Sequence, residues 1–117
     1  MTKDIKEQKI EIVPYFNNNI NSDGIIALQN ALLKDYQANA NFYMHPTTYD
    51  FIKDFKDGRQ VKLVYQMKLL NRPIIFLENM STIKENAIIV AYGDLQKFGF
   101  NGDVIDYAAI KLLRLSA

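Results

Sequence analysis

The sequence has no cysteine, no tryptophan and a single histidine. Without cysteine there is no disulfide and no thiolate metal site. That absence favours a reducing compartment only weakly, so it leaves the location open. A zinc site takes about three or four ligands, and one histidine is a poor start towards them. The chain also lacks a long apolar run; nothing approaches the roughly 20 residues that cross a bilayer, so no membrane partner is expected. The opening "MTKDIKEQK" is charged throughout, so no secretory signal is expected. The five glycines form neither a dinucleotide fingerprint nor a Walker loop. Net charge is +1, which supplies no overall pull towards nucleic acid or an anionic membrane.

What is present fits one domain with a modest core: 117 residues, 49% of them hydrophobic. "IEIVPYF" (Ile10–Phe16) is β-branched and interrupted by Pro14, so it reads as an edge strand. Turn residues follow to Gly24. A helix then begins, with Ser22 as the expected cap and Asp23 in its first turn. Ile25, Leu28, Leu32 and Tyr36 carry its apolar face at helical spacing. "NFYM" reads as a short strand. "PTTYDFIKDFKDG" reads as a second helix, with Pro46 at its first position and Gly58 as its stop. The second half reads as strands: Val61–Gln66, Pro73–Glu78, a central Ala87–Gly93, and a closing "AAIKLLRL". Between the last two, "KFGF" and "DVID" flank Asn101–Gly102, the residue pair of a type I′ hairpin. The expected fold class is α+β (mixed α/β): a central mixed β-sheet flanked by about two helices.

The search for chemistry fails on inventory. His45 would need a nucleophile and an orienting carboxylate to act as a base. The three serines, Ser22, Ser81 and Ser116, sit in no nucleophile-elbow setting. His45 therefore reads as the cap of the helix that opens at Pro46, and a small hydrolase is the rival it leaves behind. Asp50, Asp54 and Asp57 interleave with Lys53 and Lys56, which is the pattern of a solvated helix face. "GFNG" has the glycine spacing of a nucleic-acid-clamping KH loop, but its flanks look like strands and it carries no cation. "NGDVID" lacks the ligand count of a calcium loop. Catalytic, cofactor-binding and metal-binding residues are thus none, and no cofactor or small-molecule substrate is expected.

Charge is nonetheless segregated. Lys53, Lys56, Arg59, Lys62, Lys68 and Arg72 face only Asp54 and Asp57 in their stretch, a balance of +4. Glu78, Glu85, Asp94, Asp103 and Asp106 face only Lys84 and Lys97, a balance of −3. The two runs either meet between copies, head to tail, or neutralise each other within one. The inter-subunit reading selects Lys53, Lys56, Arg59, Lys62, Arg72, Asp94, Asp103 and Asp106. A nucleic-acid-binding module that uses the basic run Lys53–Arg72 with Tyr65 is the rival, and it would be steeply salt-dependent.

Five stretches in order resemble one family. "SDGIIALQNALLKDYQANANFYM", "HPTTYDFIKDFKDG", "LLNRPIIFLENM", "IIVAYGDL" and "IKLLR" resemble the C-terminal half of tailed-phage major capsid proteins, the Hong Kong ninety-seven-like shell fold. In that pattern His45 stands where the family usually has asparagine, a capping type. Asn71 stands where it has glycine, and asparagine is the next-best occupant of a left-handed backbone position. The family's N-terminal arm, extended loop and spine helix would precede this region, and Met1–Asn21 is too short to hold them. The resemblance implies residues 22–117 as an axial-like domain with one or two closing peripheral strands, after a polar segment 1–21 with a short edge strand. It implies a structural, non-enzymatic shell protein of a phage or prophage. Its partners are neighbouring copies around five- and six-fold positions, with no specific nucleic acid. Its place is the virion shell, and the host cytoplasm before assembly. An encapsulin-like nanocompartment is the variant of this reading. A fragment, a decayed prophage gene and a repurposed small protein all fit the length.

Overall fold

The computed structural model describes residues 11–15, 20–98 and 106–115. In chain order the elements are β1 (Glu11–Tyr15), α1 (Ser22–Ala31), α2 (Lys34–Gln37), β2 (Asn41–Met44), α3 (Pro46–Ile52), β3 (Val64–Tyr65), β4 (Lys68–Leu69), β5 (Arg72–Phe76), β6 (Ile88–Gly93), α4 (Leu95–Phe98), a 3₁₀ turn (Tyr107–Ala109) and β7 (Ile110–Leu115). The strands form one mixed sheet in the order β1-β7-β6-β2-β5-β4-β3. β1 runs parallel to β7, and β2 runs parallel to β5; the other neighbours are antiparallel. The α+β class and the mixed sheet are as the sequence indicates. So are β1 at an edge, where Pro14 is tolerated, and the apolar β6 near the middle.

Alternation along the strands gives the sheet two different faces. Phe42, Met44, Val90, Tyr92 and Leu113 point to one face and pack with Ile25 and Leu28 of α1 and Ile52 of α3. Phe42 and Tyr92, paired across β2 and β6, stack at 4.2 Å. On the other face Ile12, Leu112, Ala91, Tyr43 and Ile75 lie opposite one another in register across five strands. There Tyr43, Ala91 and Ile110 form a smaller cluster with Met80, Leu95, Phe98 and Leu112.

Both expected helices end early, for local reasons. The first is capped by Asn21, whose side chain accepts from the Gly24 N–H, and not by Ser22, because asparagine one residue earlier caps as well. Ser22 instead donates its hydroxyl to the Lys56 carbonyl at 2.6 Å. The helix breaks at Leu32, and α2 starts afresh at Lys34. Gln37 explains the break. Its Nε2 donates to the carbonyls of Gln29 and Leu32, so α1's last turn is satisfied without further helix. The second helix stops at Ile52 and not at Gly58. Asp57 Oδ1 accepts from the N–H groups of Arg59 and Val61, which draws the chain into a loop bridged between Lys56 and Lys62. An aspartate that binds its own backbone competes with helix, and here the loop wins. A methyl group at Gly58 would meet nothing, so the glycine is no structural stop.

The expected strand Val61–Gln66 is only the two residues of β3, the start of a tight meander. β3 joins β4 through Gln66 and Met67, and β4 joins β5 through Leu70 and Asn71. All four have positive φ (53, 64, 49 and 69°), as two-residue type I′ connections require. Asn71 thus has the left-handed backbone that its place in the sequence suggests. Lys97 and Phe98 end α4 and are not a strand. The hairpin expected at Asn101–Gly102 lies outside the described residues.

Gly93 closes β6 where it meets β7. A Cβ there would lie 2.3 Å from the Ala109 carbonyl oxygen and 2.6 Å from Ile110 Cα, both of them backbone. Gly93→Ala is therefore expected to destabilise the fold by about 1–3 kcal/mol, the usual range for overpacking. Gly58→Ala is expected to stay within about 0.5 kcal/mol of the parent, as surface changes do. Urea denaturation of the two variants checks this; equal stabilities would contradict it. Asn71→Gly is expected to be near neutral, and Asn71→Val to lose about 1–2 kcal/mol, the size of the left-handed penalty.

Candidate assembly surface

His45 is a cap. It precedes Pro46, which occupies the first helical position, and has extended backbone (φ −70°, ψ 146°). Its Nδ1 accepts from the Thr47 N–H at 3.1 Å, and its Nε2 lies 3.7 Å from Glu78 Oε1. No serine takes part. The side chain does what a capping asparagine does: it satisfies a helix N–H that has no partner within the helix. Among the described residues, no three histidine or carboxylate groups gather as metal ligands, and no helix is long and apolar enough to cross a membrane.

The residues of the two charge runs are scattered among several local tasks. Lys53 lies 3.9 Å from Asp50, Lys62 lies 3.6 Å from Asp54, and Arg59 lies 3.1 Å from Asp57. Arg72 reaches the Ala38 carbonyl at 3.5 Å. Lys56 sits at the bridged neck of the Asp57 loop. Asp94 is buried and accepts from the Gln96 and Lys97 N–H groups at the start of α4, which leaves it almost no surface to present to another copy. Asp106 caps the 3₁₀ turn through Ala108 N–H and accepts from the Tyr36 hydroxyl. That hydrogen bond holds the Tyr36 phenol above its ordinary value. Asp103 lies outside the described residues. Exposed pairs of this kind contribute about 0–1 kcal/mol each, so charge alone makes a weak grip.

The more conspicuous surface is apolar. Tyr65 is 73% exposed, and Met67 and Val61 are each 53% exposed. They project from the meander at the β3 edge of the sheet, beside a hollow of about 510 Å³ that Arg59, Lys62 and Lys68 line with Asp57. On the less covered face lies a groove of about 610 Å³, lined by Tyr43, Ile75, Leu77 and Leu95 with Asp94 and Gln96. Two-residue turns normally announce themselves by glycine or asparagine, and only Asn71 does so here. The doublets Leu63–Val64 and Leu69–Leu70 on either side of "YQMK" were the available signal.

Asp57 anchors the loop below the meander. The Val61 N–H, then the N–H and guanidinium of Arg59, hold its carboxyl below the ordinary range against an opposing desolvation. A carboxyl with a lower value when folded stabilises fully above the unfolded value of about 3.9 and loses that contribution as pH falls through the folded value. The Asp57 carboxyl is therefore expected to titrate below about 3.9 by NMR. The amides of Arg59 and Val61 are expected to lose protection only at that lower pH. A midpoint at or above the unfolded value would contradict this. For the cap, His45→Asn is expected to keep parental stability and His45→Ala to lose about 0.5–2 kcal/mol in urea denaturation.

Residues 2–103 match the phage capsid family. Among curated proteins, none matches the chain. Solved structures share its fold, two of them capsids. One is the capsid of an empty GTA particle computed with C5 symmetry, with a TM-score of 0.76 and 26% identity over 92% of this chain and 49% of that one. The other is the capsid of a native GTA particle computed with the same symmetry, with a TM-score of 0.73 and 24% identity over 92% of this chain and 50% of that one. The chain spans about half the length of the capsid chains it matches.

Proposed function

The chain belongs to the phage capsid family, and we propose that it is a structural, non-enzymatic domain of a capsid shell that works by self-association of its copies. The family match over residues 2–103 carries this reading. The shared fold supports it. In the shell, residues 22–117 correspond to the axial-like domain with its closing peripheral strand, and copies meet around five- and six-fold positions. The place of action is the virion shell, reached from the host cytoplasm. The mechanism is surface complementarity, with no substrate, cofactor or bond change. Neither the nanocompartment nor the nucleic-acid rival gains from the family match. The basic run is also less free for phosphate than its sequence suggests, since three of its cations lie beside carboxylates of their own segment.

The matched capsid chains are about twice as long as this one, so the contact available to this domain is only part of theirs. It is expected to fall below the roughly 1,200–2,000 Å² of a standard stable interface. The isolated chain is therefore expected to associate weakly, with a dissociation constant of roughly 0.1–1 mM, and to form no closed shell. Added salt should loosen the contact by screening its charged part. Sedimentation velocity at low and high salt, up to about 1 mM protein, provides the test. A chain that stays monomeric throughout would sink the self-association reading; a tight oligomer indifferent to salt would overturn the expected weakness of the contact.

A further inference from the structure

Two uncovered surfaces of this chain are both apolar, carry unlike charge at their margins, and lie on different elements. The first is the meander tip. Tyr65 and Met67 are exposed there although they are among the larger apolar side chains. The tip turns through Gln66 and Met67, both at positive φ, as a two-residue connection requires. The Tyr49 hydroxyl, 3.1 Å from the Met67 sulfur, steadies it, and Tyr49 in turn packs edge-on against Phe76. Large apolar side chains left exposed at a turn direct attention to what the turn contacts. Lys62 and Lys68 flank the tip.

The second surface is the groove of about 610 Å³ over Tyr43, Ile75, Leu77 and Leu95. It has room for an aromatic ring and a thioether. Its one charged lining residue, Asp94, is buried and taken up in capping α4, so it offers no free charge to a docked side chain. Beside Leu77 stands Glu78, whose side chain is 82% exposed. Glu78 thus places negative charge at the rim of the groove, and the exposed Lys68 places positive charge beside the hairpin.

Resting on the capsid reading above, we infer that the Tyr65–Met67 hairpin of one copy docks into the Tyr43–Ile75–Leu77–Leu95 groove of the next copy, with Lys68 facing that copy's Glu78. β3 is the last strand of the sheet, whereas the groove lies on the sheet's face where β2 and β5 meet the start of α4. The two patches differ, so the contact is heterologous: repeated with rotation it closes a ring, and without closure it runs on as a filament. One aromatic side chain buries only about 150–250 Å², so a single contact is weak. A ring adds the contacts together, and each closing contact is intramolecular.

The absence of native cysteine allows a clean test by disulfide capture. Met67→Cys and Leu77→Cys are made as separate variants, checked for folding by circular dichroism, and mixed under oxidised glutathione. The expected product is a mixed disulfide dimer, at least about tenfold more abundant than the self-paired dimer of either variant alone. The double variant should give a ladder of linked copies. If Met67→Cys fails to fold, Tyr65→Cys takes its place. In parallel, Tyr65→Ser is expected to weaken association about tenfold in sedimentation, the loss of roughly 1.4 kcal/mol, and Phe51→Ser on α3 to leave it unchanged. Copies that associate but give no such mixed disulfide, or Met67→Cys that pairs with itself as readily as with Leu77→Cys, would overturn the docking and leave the capsid reading standing. Folded copies that stay monomeric at about 1 mM would remove both.

Discussion

The fold depends on one buried hydroxyl keeping its partner. Tyr92 lies in β6, wholly inaccessible to solvent, with its ring stacked on Phe42. An unpaired polar group there costs about 1–3 kcal/mol. The Gln37 side-chain carbonyl accepts the hydrogen bond, and burial lifts the phenol above its ordinary value, so it stays a neutral donor. Gln37 can do this only if the chain turns back after α1. The same side chain then caps the carbonyls of Gln29 and Leu32. Gln29 in turn holds the Leu70 carbonyl at 3.2 Å, steadying the positive-φ turn between β4 and β5. The break in the first helix, the middle of the sheet and the exposed meander are thus connected by one short chain of amides.

Where periodicity and burial agreed, the sequence was a good guide. "NFYM" marked a short strand, β2, and the apolar run "IIVAYG" marked β6 as a central one. Pro14 marked an edge, His45 before Pro46 marked a cap, and Asn71 marked a left-handed turn. What remained hidden was decided by side chains that reach back to the backbone. Gln37 and Asp57 each end a helix by hydrogen bonds that no hydropathy pattern records. The meander was hidden because Gln66, Met67 and Leu70 are not turn residues by type. Tertiary contacts hold them in conformations that their own preferences oppose. The charge runs were legible as composition but not as surface, since Asp94 and Asp106 are engaged in capping.

Under the proposed assembly role, these details set what is left on the outside. The core cluster is built from α1, α3 and the strands, and Tyr65 and Met67 at the meander tip are not part of it. Apolar side chains at that tip therefore project at little expense to the fold, while the row from Ile12 to Ile75 leaves the opposite face of the sheet partly open. A weak, specific contact between unlike patches suits a shell, where many such contacts are made at once and errors must be reversible. The core and the assembly surface are consequently separable, and a change at the tip should leave the sheet intact.

Hydrogen exchange followed against protein concentration addresses this most directly. The account expects protection to rise with concentration at amides of residues 61–70 in the meander and of Leu95–Phe98 beside the groove. Amides of β2 and β6 should remain equally protected at every concentration. Protection that never changes with concentration, or that rises first in the central strands, would contradict it.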